Sequence, residues 1–183
     1  MNHTYTPALP NSLVRWLDAI AEVTGNTTAW LTGIMVLIAC IVVGLRHVFD
    51  IGSIALQESV TYMHAAVFML GTAYTLKNDG HVRVDILHKK MSPRTRAWVE
   101  VLGSLLFTLP LMIFIGWGSV EFVQESWRVN EGSTDSGGIG GVYLLKTLLP
   151  IMAVSVSLQA LAELLRSLLV LMNIAPLAER ASC

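Results

Sequence analysis

Four apolar windows, each long enough to cross a lipid bilayer as a helix, constrain this chain more than any single motif. They run from Trp30 to about Val48, from Ile51 to about Leu76, from Ala97 to about Phe122 and from Val142 to Met172. A hydrocarbon core about 30 Å thick needs roughly 20 helical residues at 1.5 Å rise, and the last window exceeds that, which predicts tilt or emergence. Composition agrees: 54% of residues are hydrophobic, 14% are charged and mean hydropathy is +0.60. The expected fold is an all-α integral membrane protein with four transmembrane helices, forming a single membrane domain over residues 1–183. The net charge of −1 says little, because in such a chain the placement of Lys and Arg matters more than their sum, and no nucleic-acid partner follows. Cys40 and Cys183 have neither the number nor the spacing of a disulfide framework or metal site.

The first strong apolar run begins only near residue 30, so a cleaved signal peptide is not expected. Ahead of it, over residues 10–24, Leu13, Trp16, Leu17 and Ile20 recur at helical spacing, with Arg15, Asp18 and Glu22 elsewhere around the helix. Gly25-Asn26-Thr27-Thr28 reads as a break before the first span. The segment is therefore expected to be a separate amphipathic helix, either lying in the membrane interface with Trp16 as anchor or packed on a partner protein.

Charge placement predicts orientation. The connection 77–96 carries Lys77, Arg83, Lys89, Lys90, Arg94 and Arg96 against Asp79 and Asp85, which makes it cytoplasmic by the positive-inside rule. The connection 123–141, with Glu121 just before it, carries Glu125, Glu131 and Asp135 and a single base, Arg128, and is expected outside. Both termini, including the 173–183 tail, then fall on the cytoplasmic side. The Ser133 to Gly141 tip reads as flexible, and Glu121, Glu125, Glu131 and Asp135 are either a docking surface or part of a plain connector.

An ionisable group inside a membrane span marks a pathway, a cofactor or a structural pair. Glu58 enters the second span by some five residues, about 8 Å at helical rise, and Arg46 closes the first span at the same level. The two are expected to form an ion pair that clamps the hairpin, each offsetting the desolvation of the other. His64 lies deeper, and is expected to be a hydrogen-bonded histidine between helices; haem ligation would need a second buried imidazole, and His47, His81 and His88 all sit at boundaries or in the basic loop. No nucleophilic triad, paired-carboxylate site or phosphate-binding loop is present in the sequence, so no enzyme activity is expected.

In the basic connection, Val82, Val84, Ile86, Leu87 and Met91 interleave with charges and predict a short amphipathic arm along the membrane. Ser92-Pro93 reads as the start of the third helix, with serine as N-cap and proline at the first turn, and Pro110 is expected to kink it near mid-span.

Leu45-Arg46-His47-Val48-Phe49-Asp50, Glu58, Tyr62, Leu70-Gly71-Thr72-Ala73-Tyr74 and Gly80-His81-Val82-Arg83-Val84-Asp85, in that order, resemble the small membrane subunit (DctQ type, Q component) of tripartite ATP-independent periplasmic (TRAP) transporters. Asp50, Thr61 and Ala66 depart from the pattern, where Asn, a basic residue and Trp are usual. Ser126-Trp127, Glu131, Ser133, Gly137-Gly138, Tyr143, Lys146 and Pro150 resemble one branch of these subunits. The resemblance implies a scaffold that pairs with a large multi-span subunit. That subunit would hold the substrate and sodium sites and be fed by a periplasmic solute-binding protein, with an organic acid as the usual cargo. It implies no cofactor in this chain, and it makes Gly80, His81, Arg83 and Asp85 a family motif in the arm. Two other readings remain: a haem-binding membrane anchor of a respiratory enzyme, and an independent small channel lined by Glu58 and His64.

Overall fold

The computed structural model describes residues 12–78 and 91–172; the side chains of 12–15 and 93 lie outside the description. The described residues form four helices. Helix α1 spans Ser12–Val48 and α2 spans Ile54–Lys77. Helix α3 comprises two α segments, Pro93–Gly103 and Leu109–Arg128, joined through a π turn at Ser104–Thr108, and α4 spans Val142–Leu171. The arm, with Gly80, His81, Arg83 and Asp85, lies outside the described residues, as does the 173–183 tail.

Helix α1 does not break where its sequence suggests. Its 37 residues, about 55 Å at helical rise, run unbroken through Gly25-Asn26-Thr27-Thr28. The hydroxyls return to the helix's own carbonyls: Thr24 bonds Ile20 and Ala21, Thr27 bonds Val23 at 2.8 Å, and Thr28 bonds Gly25 at 2.8 Å. Gly25 is there for contact, since a Cβ at this position would overlap the Tyr74 ring of α2. The segment predicted to be a separate interfacial helix is thus the first turns of α1, and its apolar residues Leu17, Ile20 and Ala21 face a cleft of about 440 Å³ shared with α2 and α4. Trp16 is 71% exposed.

Serine caps begin the next two helices. Leu56 N donates to Ser53 Oγ at 3.4 Å, and Thr95 N donates to Ser92 Oγ at 3.2 Å with Pro93 in the first turn, as the sequence predicts. The expected effect of Pro110 takes the form of a π turn: Leu109 N bonds Ser104 O, five residues back, immediately before the proline. Widening the coil there relieves the proline ring's conflict with the preceding turn. The third helix is also longer than predicted, ending at Arg128, so the following connection shortens to 129–141.

Helices α1 and α2 pack antiparallel, α2 and α4 run parallel side by side, and α3 packs on α4. The buried apolar positions are small: Ala21, Ala73, Ala97, Ala153, Ala160 and Ala162 with Val101, Val123 and Val156. Large apolar groups point outward, Trp117 being 84% and Trp30 81% exposed. That inversion suits a lipid solvent, where close backbone approach through small residues replaces burial of large ones. Gly116 shows it directly, since an added Cβ would lie 3.3 Å from Ala153 Cβ.

Among the described residues, three helices are long and apolar enough to cross a membrane: α1 from Trp16, α3 from Arg94, and α4. Helix α2, with 24 residues, has the length without the hydropathy, because Gln57, Thr61, His64, Thr72 and Thr75 dilute its apolar content.

Replacing Gly25 with leucine is expected to cost about 1–3 kcal/mol through overpacking against Tyr74. Gly33→Leu, where nothing lies within 4 Å of an added Cβ, should leave Tm in detergent unchanged. Equal Tm values for the two variants would refute the close α1–α2 contact.

Candidate functional site

Two polar layers cap the bundle, and the residues between them carry no Asp, Glu, Lys or Arg in any helix: 23–45, 59–76, 101–120 and 147–162. Helical rise puts Glu58 about 28 Å from Lys77, Lys146 about 26 Å from Glu163, and Glu22 about 36 Å from Arg46. These spacings bracket one hydrocarbon thickness.

At the first layer, Arg166 of α4 binds the Asp18 carboxylate of α1 through both oxygens and also bonds Glu163 on its own helix. Lys77 of α2 donates to Asp18 O at 3.1 Å and to Glu22 at 3.0 Å. Ser167 donates to Glu100 of α3 at 2.8 Å, and buried Gln159 donates to Glu163 at 3.3 Å. All four helices are joined here. Asp18, Lys77 and Arg166 are half-buried, so their pairing carries more weight than a surface ion pair would.

The second layer is built around Glu58, and it corrects the clamp expected from sequence. Both carboxylate oxygens are engaged by the 129–141 loop: Ser133 Oγ donates to one, and Ile139 N donates to the other at 2.6 Å. Arg46 is exposed and takes no part. The carboxylate lies at the polar boundary, where a loop folds over it, instead of deep in a span. The loop itself is closed by Ser133 N to Ile139 O at 3.1 Å, Gly138 N to Asp135 O at 3.1 Å and Asp135 N to Ser133 Oγ at 3.1 Å. Gly137 supplies the turn with φ +86°, and a Cβ on Gly138 would meet the Ser133 side chain and Glu58. The stretch read as a flexible tip is therefore a cross-bonded cap.

The acidic residues of this end divide by role. Glu131 is half-buried and bonded to Lys146 of α4, whose ammonium also sits 3.9 Å over the Phe122 ring. Glu131 N is held by Ser126 O at 3.0 Å. Trp127 stacks edge-on with Tyr143 at 4.6 Å and donates to Thr147 at 2.9 Å, fixing the end of α3 on α4. Glu125 pairs with Arg128 one turn on, at the surface. Glu121 and Asp135 remain exposed. Hydrogen bonding from Lys146 holds the Glu131 carboxyl below the usual glutamate range against the opposing effect of desolvation.

His64 is exposed on α2, facing away from the other helices of the chain, so it is not the interhelical histidine expected; His47 is exposed at the Glu58 end of α1. Sequence reasoning missed Ser133 and Ile139 as the partners of Glu58, and Asp18 with Arg166, because each pair joins residues more than 70 positions apart. The signal that was available is the glycine pair Gly137-Gly138, whose freedom lets the loop turn down onto α2.

Helices bracketed by charged layers, with small residues packed between them, define an integral membrane subunit. Residues 35–170 match the family described as tripartite ATP-independent periplasmic transporters, DctQ component. The chain belongs to that family, and is thus a small component of a TRAP transporter and a protein of the bacterial inner membrane. Searches of curated proteins and of solved structures return no match.

Two predictions follow from this geometry. Glu58→Ala and Ser133→Ala should each raise protease cleavage within 132–140 several-fold, with the double variant little worse than Glu58→Ala and Arg46→Gln at the wild-type level. Cleavage on Arg46→Gln matching that of Glu58→Ala would return the carboxylate to the arginine. For Glu131, a folded-state pKa below the ordinary 4.5 means that its stabilisation is fully present above that value and is lost as pH falls through the folded pKa. Melting in detergent from pH 7 to pH 3 should therefore show a smaller acid-induced fall in Tm for Glu131→Gln than for the wild type; parallel curves would exclude the contribution.

Proposed function

We propose that this chain is the scaffold subunit of its transporter. It binds and orients the large multi-span membrane subunit, to which substrate and sodium sites are assigned, and helps a periplasmic solute-binding protein dock for uptake of an organic acid. The observation that carries the reading is the uncharged, small-residue packing between the two polar layers. Four helices joined by ion pairs and hydrogen bonds at the Lys77 end, with α2, α3 and α4 tied together again through the bonded loop at the Glu58 end, make a rigid support and offer no charged path across. In this reading α2 is the fourth span, since Glu58 and Lys77 lie at the same two levels as the charges of its neighbours. The basic 77–96 connection and both termini then face the cytoplasm, and the Glu58 cap faces the periplasm.

With Glu131 occupied by Lys146 and Glu125 by Arg128, the acidic groups available to a docking protein are chiefly Glu121 and Asp135. Rim charges of this kind act mainly on association rate and salt dependence.

Gentle extraction of the tagged chain from its native membrane should bring down a large polytopic membrane protein without a haem absorbance band. A haem band with redox partners would replace the scaffold reading. Reversing Glu121 and Asp135 to lysine should slow uptake that depends on the solute-binding protein, most strongly at low salt. Unchanged uptake would reduce the loop to a cap on Glu58.

A further inference from the structure

Gln57, Thr61, His64 and Phe68 follow one another at i, i+4, i+7 and i+11, and all four are exposed, so they form one stripe along α2. The opposite side of the helix is committed to this chain: Leu70 and Ala73 floor the cleft between α1 and α4, and Tyr74 packs on Gly25. The amide of Gln57 and the imidazole of His64 make no hydrogen bond among the described residues, while the Thr61 hydroxyl reaches only Gln57 O at 3.4 Å. His64 lies about 9 Å below Glu58 and about 20 Å from Lys77, well inside the zone bounded by the two charged layers. Hydrogen-bonding groups facing hydrocarbon are costly, and acyl chains offer them nothing.

We infer that the Gln57, Thr61, His64 and Phe68 stripe is the surface on which a transmembrane helix of the large subunit docks, presenting hydrogen-bonding side chains to Thr61 and His64 and an apolar one to Phe68. This rests on the scaffold reading above and names the face that serves it. It also accounts for the low hydropathy of α2: a helix packed on two sides by its own chain and on a third by a polar partner surface does not need a lipid-facing composition.

The test uses the intact complex. Thr61→Leu/His64→Leu is expected to leave the Tm of the isolated chain in detergent unchanged or raised, and to weaken co-purification of the large subunit. Interhelical hydrogen bonds in membranes are each worth about a threefold effect, so the loss should be roughly threefold to tenfold. A benzophenone side chain at position 68 should form an adduct with the mass of the large subunit, and this readout stands even where the double variant lowers the chain's own stability. Undiminished co-purification together with adducts to lipid alone would overturn the assignment. An adduct between two copies of this chain would overturn it in favour of self-association. Failure of the wild-type chain to capture a large subunit at all would be the failure of the scaffold reading itself, separate from the choice of face.

Discussion

A hydrocarbon layer cannot solvate charge or unpaired backbone, and this requirement arranges everything else in the molecule. Each helix is free of Asp, Glu, Lys and Arg over the middle of its length, and the charges gather at two levels about one bilayer thickness apart. At those levels they are spent on joining helices. Arg166 holds α1 to α4, Lys77 holds α2 to α1, Glu100 holds α3 to α4, and Glu58 holds the loop before α4 to α2. Between the layers the helices meet through Gly, Ala and Ser, as at Gly25 with Tyr74 and Gly116 with Ala153.

The loop 129–141 shows how local backbone chemistry and long-range charge work together. Gly137 supplies a left-handed turn and Gly138 supplies room beside Glu58, and the loop can then aim a hydroxyl and a backbone N–H at one carboxylate. The carboxylate is satisfied without a basic partner, as at helix N-termini and other sites where N–H donors converge on an anion. Lys146 is thereby left to Glu131 and the Phe122 ring, and Arg46 is left at the surface. One pairing choice distributes the other charges of that end.

Helix α2 differs in kind from its neighbours. Two of its sides are occupied within the chain, and the third bears threonine and histidine inside the uncharged zone, with glutamine at its edge. In a protein that belongs to a family of transporter components, a polar face at that depth is where the proposed docking of the large subunit would act.

The sequence by itself determined the class, the approximate limits of the apolar windows, the Ser92 helix start, and the family, because periodicity, capping and composition are local and motif order survives in the linear chain. It did not determine whether Gly25-Asn26-Thr27-Thr28 ends a helix. Glycine and threonine serve equally as breakers or as contact residues, and only the Tyr74 ring across from Gly25 decides. Nor did it determine which base Glu58 meets, or that it meets none. Arg46 is near in sequence, whereas Ser133 and Ile139 come within reach only when α4 lies beside α2 and the loop folds over their common end. Ion pairs and hydrogen bonds reach only a few ångströms, so their choice of partner belongs to the tertiary structure.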